Sequence, residues 1–273
     1  MSEGASFRWE GVGLHTGSPC AVEVAVSALP GIRFVFPDGR SCPVEEATLQ
    51  GDGRGSSLTF PNGITIRTVE HLMSGLAGTG LWGVTIRVEG PEVPGLDGSA
   101  ADFSRQLKVL RETAGTPSTE PLRVTAPVAV RHQGRTMAIL PAEVFGVTCV
   151  IDYPGTWIGT QAYYAEKLDE ATYIEEISRA RTFCLESELD QLKAAGLGRG
   201  GNLENAVVVG PAGPLNPEAL AYPDGFARHK VLDLVGDLAI LGRPLIGHVL
   251  AFRSGHALHL AMVSRLKRLL RYS

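Results

Sequence analysis

The stretch FARHKVLDLVGDLAIL, residues 226–241, constrains the fold more than any other part of the sequence. Its apolar residues recur at three- and four-residue spacing, which predicts an α-helix. His229, Asp233 and Asp237 recur at every fourth position, so they share one face of that helix. Because the rest of the helix is mostly apolar, we expect this polar stripe to be at least partly buried. Buried charge is costly unless it is paired or holds a metal, so the stripe needs partners or an ion.

The stripe alone leaves two interpretations open. One is a polar network whose hydrogen bonds are satisfied by neighbouring groups, or a face of the helix that is exposed to solvent. The other is a metal site, which needs a further ligand, and His71 stands out because Glu70 precedes it on a predicted helix with Thr68 as N-cap. A zinc held by His71, His229 and Asp233 would keep a fourth position for water, with Glu70 beside it to accept a proton.

Known motifs narrow the chemistry. The sequence lacks H-E-x-x-H, and the inverted form would need a histidine where Arg67 stands, so a standard zinc peptidase is disfavoured. The stretch GVGLHTGSP lacks the G-K-[ST] of a phosphate loop and does not match the dinucleotide-binding fingerprint. It predicts either a plain tight turn or a turn that brings His15 close to a ligand.

A further histidine lies where a helix is predicted to begin, in AFRSGHALHLAM. The helix N-terminus disfavours protonation of His256, and Asp237 is the carboxylate that would offset this effect. The pair could act as an acid or stabilise an oxyanion; the alternative is a histidine bonded to the backbone near the cap. His132, His248 and His259 show no partner in the sequence, and we interpret them as structural or surface residues.

Composition and patterning predict a cytosolic protein without a nucleic-acid partner. The formal net charge of −4 provides no overall field that would attract nucleic acid or an anionic membrane. The sequence lacks an apolar run of membrane-span length, and its first residues lack the pattern of a secretory signal. The scattered cysteines form no C-x-x-C pair and are interpreted as reduced thiols.

The segment TAGTPSTEP is polar and aperiodic, and it predicts a linker over residues 116–121. The linker divides the chain into residues 1–115 and 122–273. Both parts alternate strand and helix patterns and share a rough order of strands followed by helices. We therefore expect an α+β fold in which two similar layers pack against each other.

Seven stretches resemble, in order, the UDP-3-O-acyl-N-acetylglucosamine deacetylases: GVGLHTG, TVEHLMSGLAG, GPEVPGLDGSAADF, ISRARTF, GLGRGGNLENAVVV, FARHKVLDLVGDLAILGRPLIGH and FRSGHAL. The combination of TVEHL, RHK-x-L-D-x-x-G-D and SGHA is specific, although each motif alone is not. The resemblance implies a zinc amidase that removes the N-acetyl group from UDP-3-O-acyl-N-acetylglucosamine. The products would be UDP-3-O-acyl-glucosamine and acetate, in the committed step of lipid A biosynthesis.

The resemblance also implies a role for each matching residue. The metal ligands would be His71, His229 and Asp233. Glu70 matches the general base that activates the attacking water. His256 matches the general acid and oxyanion stabiliser, with Asp237 as its carboxylate partner. Two opposed proton-transfer groups predict a bell-shaped dependence of activity on pH.

Further matches concern substrate contacts. Lys230 matches a lysine near the phosphates of the substrate and the reaction centre. Thr182 matches a threonine that stabilises the tetrahedral intermediate. Phe183, Leu14 and His15 match positions that contact the substrate.

The fold implied by the resemblance has two similarly folded β-sheet and helix domains. They pack helix layer to helix layer, each with an insert, and the active site lies between them. The second domain would carry a βαβ insert at about residues 184–210 that forms the passage for the acyl chain.

The expected cofactor is Zn²⁺, with Fe²⁺ as an alternative in the cell. The expected partner is a UDP-sugar with a 3-O-acyl chain, and we expect a monomer in the cytoplasm, near the inner membrane surface. Two alternatives remain at this stage. One is a deacetylase of the same fold that acts on another N-acetyl sugar, and the other is an inactive relative that binds sugar nucleotides.

Overall fold

The structure is a computed structural model that describes residues 5–51, 54–115 and 117–270. Helices occur together with several β-sheets in these ranges, so the predicted α+β fold class is confirmed. The elements before residue 116 are β1 Ser6–Val12, β2 Pro19–Val26, β3 Ile32–Val35, β4 Ser41–Pro43, β5 Thr48–Gly51, β6 Ser56–Thr59, β7 Thr65–Ile66, α1 Glu70–Gly78, β8 Val84–Glu89 and α2 Ala101–Ala114.

The remaining elements follow residue 121. They are β9 Leu122–Arg123, β10 Val128–His132, β11 Arg135–Leu140, β12 Phe145–Tyr153, β13 Gly159–Ala165, α3 Glu170–Glu176, β14 Phe183–Leu185, α4 Leu189–Ala194, β15 Val207–Gly210, β16 Gly213–Pro214, α5 Gly225–Ala239, β17 Leu245–Phe252 and α6 His256–Leu270. Short 3₁₀ helices occupy Val44–Glu46, Glu186–Glu188 and Pro217–Ala219. Within the described ranges, none of the helices has the length and hydropathy needed to cross a membrane.

The two largest sheets have the same topology. The strand order is β1-β2-β8-β3-β4 in one sheet and β10-β11-β17-β12-β13 in the other, where β9 also pairs with β17. In each sheet the third and fourth strands along this order run parallel, and the other neighbours on it run antiparallel. This repetition agrees with the expectation of two similarly folded sheet and helix layers.

The first sheet buries one face because its strands alternate apolar and polar residues. On β2 the inward residues Val22 and Val24 are fully buried, and Ile86 on the neighbouring strand β8 pairs with Val24. Helix α2 covers this face with Phe103 and Leu107, which are four residues apart and therefore share one side of the helix. The same core cluster continues into the second half of the chain.

Helices α1 and α5 pack directly on each other, so the helices of the two halves meet between the sheets. Nearly every residue of α5 is buried, because α1 lies on one side and β12 and β13 lie on another. Gly236 allows this contact: a Cβ placed there would lie 1.9 Å from the carbonyl oxygen of Glu70. The helix contact places the stripe of α5 beside the first turn of α1.

Two sequence expectations concern segments between elements. Residues 117–121 of the predicted linker contain no helix or strand, and residue 116 lies outside the described residues. The boundaries of the two domains therefore stay a prediction. In the predicted insert, α4 lies between the parallel strands β14 and β15.

The prediction that Thr68 caps α1 is wrong. The helix begins at Glu70, with Val69 in the N-cap position. Thr68 has a left-handed backbone with φ of 53°, and its hydroxyl donates to the buried carboxylate of Glu92 instead. A contact distant in sequence thus overrides the local capping preference of threonine.

Candidate active site

Three side chains on α1 and α5 form a cluster of metal-binding donors. His71, His229 and Asp233 are buried, and one ligand atom of each lies within 4.8 Å of the others. Asp233 Oδ1 is 3.7 Å from His71 Nε2 and 3.3 Å from His229 Nε2. Two donors bound to one tetrahedral zinc are roughly 3.3 Å apart, given zinc–donor distances near 2.0 Å. The spacing and the donor types therefore fit a zinc-sized ion.

The surroundings of His229 hold its ring in the form that binds metals. Its Nδ1 lies 3.1 Å from the carbonyl oxygen of Ala180, which can only accept, so Nδ1 carries the proton. This leaves the Nε2 lone pair directed at the donor cluster, as metal-ligating histidines require. Burial lowers the pKa of His229 to about 3, so the ring is neutral at ordinary pH.

The second oxygen of Asp233 contacts a lysine. Lys230 Nζ lies 2.7 Å from Asp233 Oδ2 and 5.3 Å from the centre of the Phe183 ring. Burial acts to raise the pKa of Asp233, but His229 and Lys230 lower it well below its usual range. Burial acts to lower the pKa of Lys230, but Asp233 raises it above its ordinary value, so both groups are charged.

Glu70 lies at the start of α1, next to His71, with its carboxylate directed at the same cluster. It is buried, its Oε2 accepts from the backbone N–H of Ser56 at 3.1 Å, and its Oε1 is 4.0 Å from His256 Nε2. Burial is the largest effect on this group and raises the pKa of Glu70 to about 7. A carboxylate poised near neutrality can take a proton from a nucleophile.

His256 lies at the start of α6 and is paired with the third member of the stripe. Its Nδ1 is 2.9 Å from Asp237 Oδ2, and its Nε2 is 3.6 Å from Asp233 Oδ2. Burial acts to lower the pKa of His256, but Asp237 and Asp233 raise it to about 10. The structure therefore brings together His256 and Asp237 as the sequence leads us to expect, with His256 in the form that can donate a proton.

The sequence shows no partner for His259, but the structure gives this histidine two partners and places it in the interior as a structural residue. His259 is fully buried, with Nδ1 2.7 Å from Asp237 Oδ2 and Nε2 2.9 Å from Ser254 Oγ. His248 also has a partner, with Nε2 2.8 Å from the hydroxyl of Thr148. The three-residue spacing of His256 and His259 predicts only that both rings lie on one side of the helix; folding brings the Asp237 carboxylate to them.

Asp237, His256 and His259 form a second cluster of donors, but its distances are those of hydrogen bonds. The two separations between ring nitrogen and carboxylate oxygen are 2.9 and 2.7 Å. Both are shorter than the roughly 3.3 Å between two donors on one zinc ion. We therefore interpret this cluster as a hydrogen-bonded network behind the metal-binding cluster.

Glu92 is a buried carboxylate that sequence reasoning did not single out. Its two oxygens accept from the backbone N–H groups of His15 and Thr16, at 2.9 and 2.8 Å. They also accept from the hydroxyls of Thr16 and Thr68, each at 2.7 Å. Glu92 thus ties the GVGLHTG turn to the segment that leads into α1. Only its lone carboxyl group between two prolines, in GPEVPG, marks it in the sequence.

A cavity of about 560 Å³ opens over these groups. Its lining includes every residue that the resemblance assigns to the site except Asp237, which lies behind His256: Leu14, His15, Glu70, His71, Thr182, Phe183, His229, Lys230, Asp233 and His256. Arg135 and Arg253 also line the cavity. The arrangement can bind a divalent metal, move protons on both sides of it, and accept an anionic ligand.

Comparison with known proteins identifies the family to which such a site belongs. The model of the LpxC family, UDP-3-O-acyl N-acetylglycosamine deacetylase, matches residues 4–268. The chain therefore belongs to this family of enzymes, and the resemblance found in the sequence is confirmed.

Several relatives named UDP-3-O-acyl-N-acetylglucosamine deacetylase are similar along nearly the whole chain. The protein of Anaeromyxobacter dehalogenans (strain 2CP-C) is 39% identical over 257 residues, covering 93% of this chain and 83% of the relative. That of Myxococcus xanthus (strain DK1622) is 38% identical over 262 residues, covering 94% and 82%. That of Phenylobacterium zucineum (strain HLK1) is 38% identical over 268 residues, covering 96% and 91%.

Proposed function

We propose that this protein hydrolyses the acetamide of UDP-3-O-acyl-N-acetylglucosamine, giving UDP-3-O-acyl-glucosamine and acetate, as the committed step of lipid A biosynthesis. The observation that carries the proposal is the cluster of His71, His229 and Asp233 with Glu70 and His256 beside it in one cavity. The family and the names of the relatives support the substrate class.

We infer that His71, His229 and Asp233 hold Zn²⁺, with Fe²⁺ as the alternative ion in the cell. Two imidazoles and one carboxylate are a zinc donor set, and their spacing fits such an ion. When bound there, such an ion would supply the Lewis acidity that lowers the pKa of a water molecule and polarises an amide carbonyl.

Two residues of the chain carry protons in this proposal. Glu70, next to His71 and with a pKa near 7, accepts the proton of the attacking water. His256 turns Nε2 toward the cavity because Asp237 binds its Nδ1, and it donates a proton to the departing amine. The positive charge of His256, together with the hydroxyl of Thr182, which also lines the cavity, stabilises the developing oxyanion.

The remaining assigned residues contact the substrate. Lys230, whose charge is held beside Asp233 and over the ring of Phe183, lies near the reaction centre and the phosphates. Leu14 and His15 line the cavity from the turn that Glu92 holds. Arginines at the same cavity supply the positive charge that a diphosphate requires.

The proposal also includes a monomeric enzyme in the cytoplasm, close to the inner membrane surface, because its acylated substrate would be amphipathic. It further includes two domains, residues 1–115 and 122–273, joined by the linker 116–121. Light scattering of the purified protein tests the oligomeric state, and limited proteolysis at the linker tests the boundary.

The experiment that tests the proposal is a deacetylation assay with matched substrates. UDP-N-acetylglucosamine with and without a 3-O-acyl chain is incubated with the protein, and released acetate is measured with and without chelator. We expect turnover of the acylated substrate that chelator abolishes and zinc restores. Faster turnover of another N-acetyl sugar would favour the alternative deacetylase, and binding without turnover in the presence of zinc would favour an inactive relative.

A further inference from the structure

We propose that His259 is a positioning residue for the reaction, which holds the Asp237 carboxylate in the orientation that presents His256 to the cavity. The inference rests on the proposed function, in which His256 donates the proton. The side chain of His259 does not line the cavity, and it has no role in the mechanism proposed above.

The Asp237 carboxylate is held by three donors from two elements. Ser56, at the start of β6, donates to Oδ1 at 2.5 Å. His256 and His259, both on α6, each direct Nδ1 at Oδ2, at 2.9 and 2.7 Å. Because a carboxylate only accepts, both rings carry the proton on Nδ1. Asp237 and His259 are both fully buried, so water does not replace a lost donor easily.

The orientation of Asp237 needs such a set of donors. The last torsion of an aspartate side chain has a broad energy profile, so the rotamer alone does not fix its carboxylate plane. Ser56 fixes Oδ1 only, and its hydroxyl also lies 3.3 Å from His256 Nδ1. The bond from His259 is the shorter of the two bonds at Oδ2, so this bond restrains the oxygen that holds His256.

The other nitrogen of His259 reaches the turn that delivers His256. Its Nε2 is 2.9 Å from Ser254 Oγ, two residues before His256 and next to Arg253, which has a left-handed φ of 52°. A single buried ring thus joins the turn before α6 to the carboxylate on α5. His259 therefore contacts both the carboxylate partner of His256 and the turn that precedes the helix of His256.

The test distinguishes the bond that His259 Nδ1 makes to Asp237 from the bond that His259 Nε2 makes to Ser254. In H259N the side-chain amide lies where Nδ1 was and can still donate to Asp237, whereas in H259Q it lies closer to Ser254. In H259L both bonds are lost. We expect kcat of H259L and H259Q to fall on the order of 100-fold with KM unchanged, since a misplaced catalytic group costs about that much. H259N should keep most of the wild-type kcat, and so should the matched control H248L.

Thermal unfolding and zinc content are measured for every variant, so that a folding defect is not mistaken for a loss of position. If H259L does not fold, the comparison of H259N with H259Q decides. Wild-type kcat in a folded H259L or H259Q would overturn the proposal. Equally slow H259N and H259Q with normal stability would overturn it too, because the bond to Asp237 would then be irrelevant.

A second readout does not depend on activity. In NMR spectra of the labelled protein, the Nδ1–H protons of His256 and His259 should both be protected from exchange by Asp237. We expect the His256 signal to broaden or disappear in H259L and to persist in H259N. An unchanged His256 signal in H259L would contradict the proposal. An inactive wild-type protein with the expected NMR behaviour would instead mean that the proposed function is wrong.

Discussion

Glu92 shows how much one buried carboxylate can organise. Four donors converge on it from the turn that carries His15 and from Thr68, just before α1. Burial acts to raise the pKa of Glu92, but the bonds from His15 and the two threonines lower it below its usual range. The ionised form is therefore part of the folded state on which the cavity wall depends.

We predict that Glu92→Gln lowers the free energy of unfolding at neutral pH by about 1–3 kcal/mol, because the amide NH₂ would face donors that it cannot accept from. Folding lowers the pKa of Glu92. The stabilisation by its charge is therefore complete above about pH 4.3, the ordinary pKa of a glutamate, and is lost as the pH falls through the pKa of Glu92 in the folded protein. Denaturant unfolding at pH 7 and at successively lower pH measures the difference between wild type and variant.

The matched control for this prediction is Glu143→Gln, whose side chain is 94% exposed and pairs only at the surface with Arg123. It should change stability little at either pH. A Glu92 variant as stable as the wild type at pH 7, or a difference that grows in acid, would contradict the prediction.

Glu70 allows a sharper test of chemistry at the residue scale. Glu70→Gln keeps the shape of the side chain and the bond from Ser56 but cannot accept a proton. We predict that kcat falls by about 10²- to 10⁴-fold, the usual contribution of a general base, while the zinc content stays at the wild-type value. Steady-state assays and metal analysis of the same preparation measure both. Wild-type turnover in Glu70→Gln would show that Glu70 is not the general base.

At the scale of elements, the site depends on how closely α1 approaches α5. His71 comes from one helix and the other two donors from its neighbour, so the distance between the axes sets the donor spacing. Gly236, between Asp233 and Asp237, is the position where the backbone of Glu70 touches α5. A side chain at that point would separate the helices and pull His71 away from the other donors.

We predict that Gly236→Ala destabilises the protein by about 1–3 kcal/mol or more through overpacking and weakens zinc binding. The matched control is Gly225→Ala on the same helix, where a Cβ would meet only the Leu220 side chain at 3.4 Å. Denaturant unfolding and competition with a fluorescent chelator measure the two effects. Zinc affinity unchanged in the Gly236 variant would show that the helix contact does not set the donor spacing.

At the scale of the whole molecule, a metal at this site would join the two halves of the chain. His71 belongs to the sequence before the linker, and His229 and Asp233 belong to the sequence after it. An ion that binds only the folded state stabilises it by mass action, by about 2.7 kcal/mol when its free concentration is a hundred times the dissociation constant.

We therefore predict that chelator lowers the midpoint of thermal unfolding and that added zinc raises it again. The control is the same titration with His229→Ala. Its unfolding midpoint should shift much less, because only two of the three donors remain to bind zinc. Scanning fluorimetry measures both proteins side by side. A wild-type midpoint that does not respond to zinc would argue against a metal that bridges the halves.

The parts of the site that the sequence predicts are those set by helical spacing or by a complete motif. The stripe of α5 predicts that His229, Asp233 and Asp237 lie on one face, because the helix repeat fixes it. The alternation along β2 and β8 similarly predicts the α+β layers. The contact between the stripe and His71 depends on helix packing, which spacing within one helix does not encode. The neighbouring Glu70 made His71 one candidate for the further ligand, and the resemblance then implied the contact.

The parts that the sequence does not predict depend on contacts across the chain. Thr68 has the residue type of an N-cap, but its hydroxyl donates to Glu92 instead. Loss of the capping bond costs less free energy than a buried carboxylate without a donor. His259 looks like an ordinary helix residue, because Asp237 on another helix and Ser254 in the preceding turn become its neighbours only on folding. Local patterns thus predict the elements, while the hydrogen-bonded network behind the cavity follows from tertiary packing.

In the proposed function, deacetylation of the acylated UDP-sugar requires one ion held by His71, His229 and Asp233. The most direct measurement titrates zinc into chelator-treated protein and records acetate release and bound metal in parallel, for the wild type and for Asp233→Asn. We predict that the wild-type rate rises with occupancy and saturates at one zinc per chain, while the variant stays inactive at the same zinc concentrations. Full activity in metal-free wild type, or in the variant without bound zinc, would contradict the account.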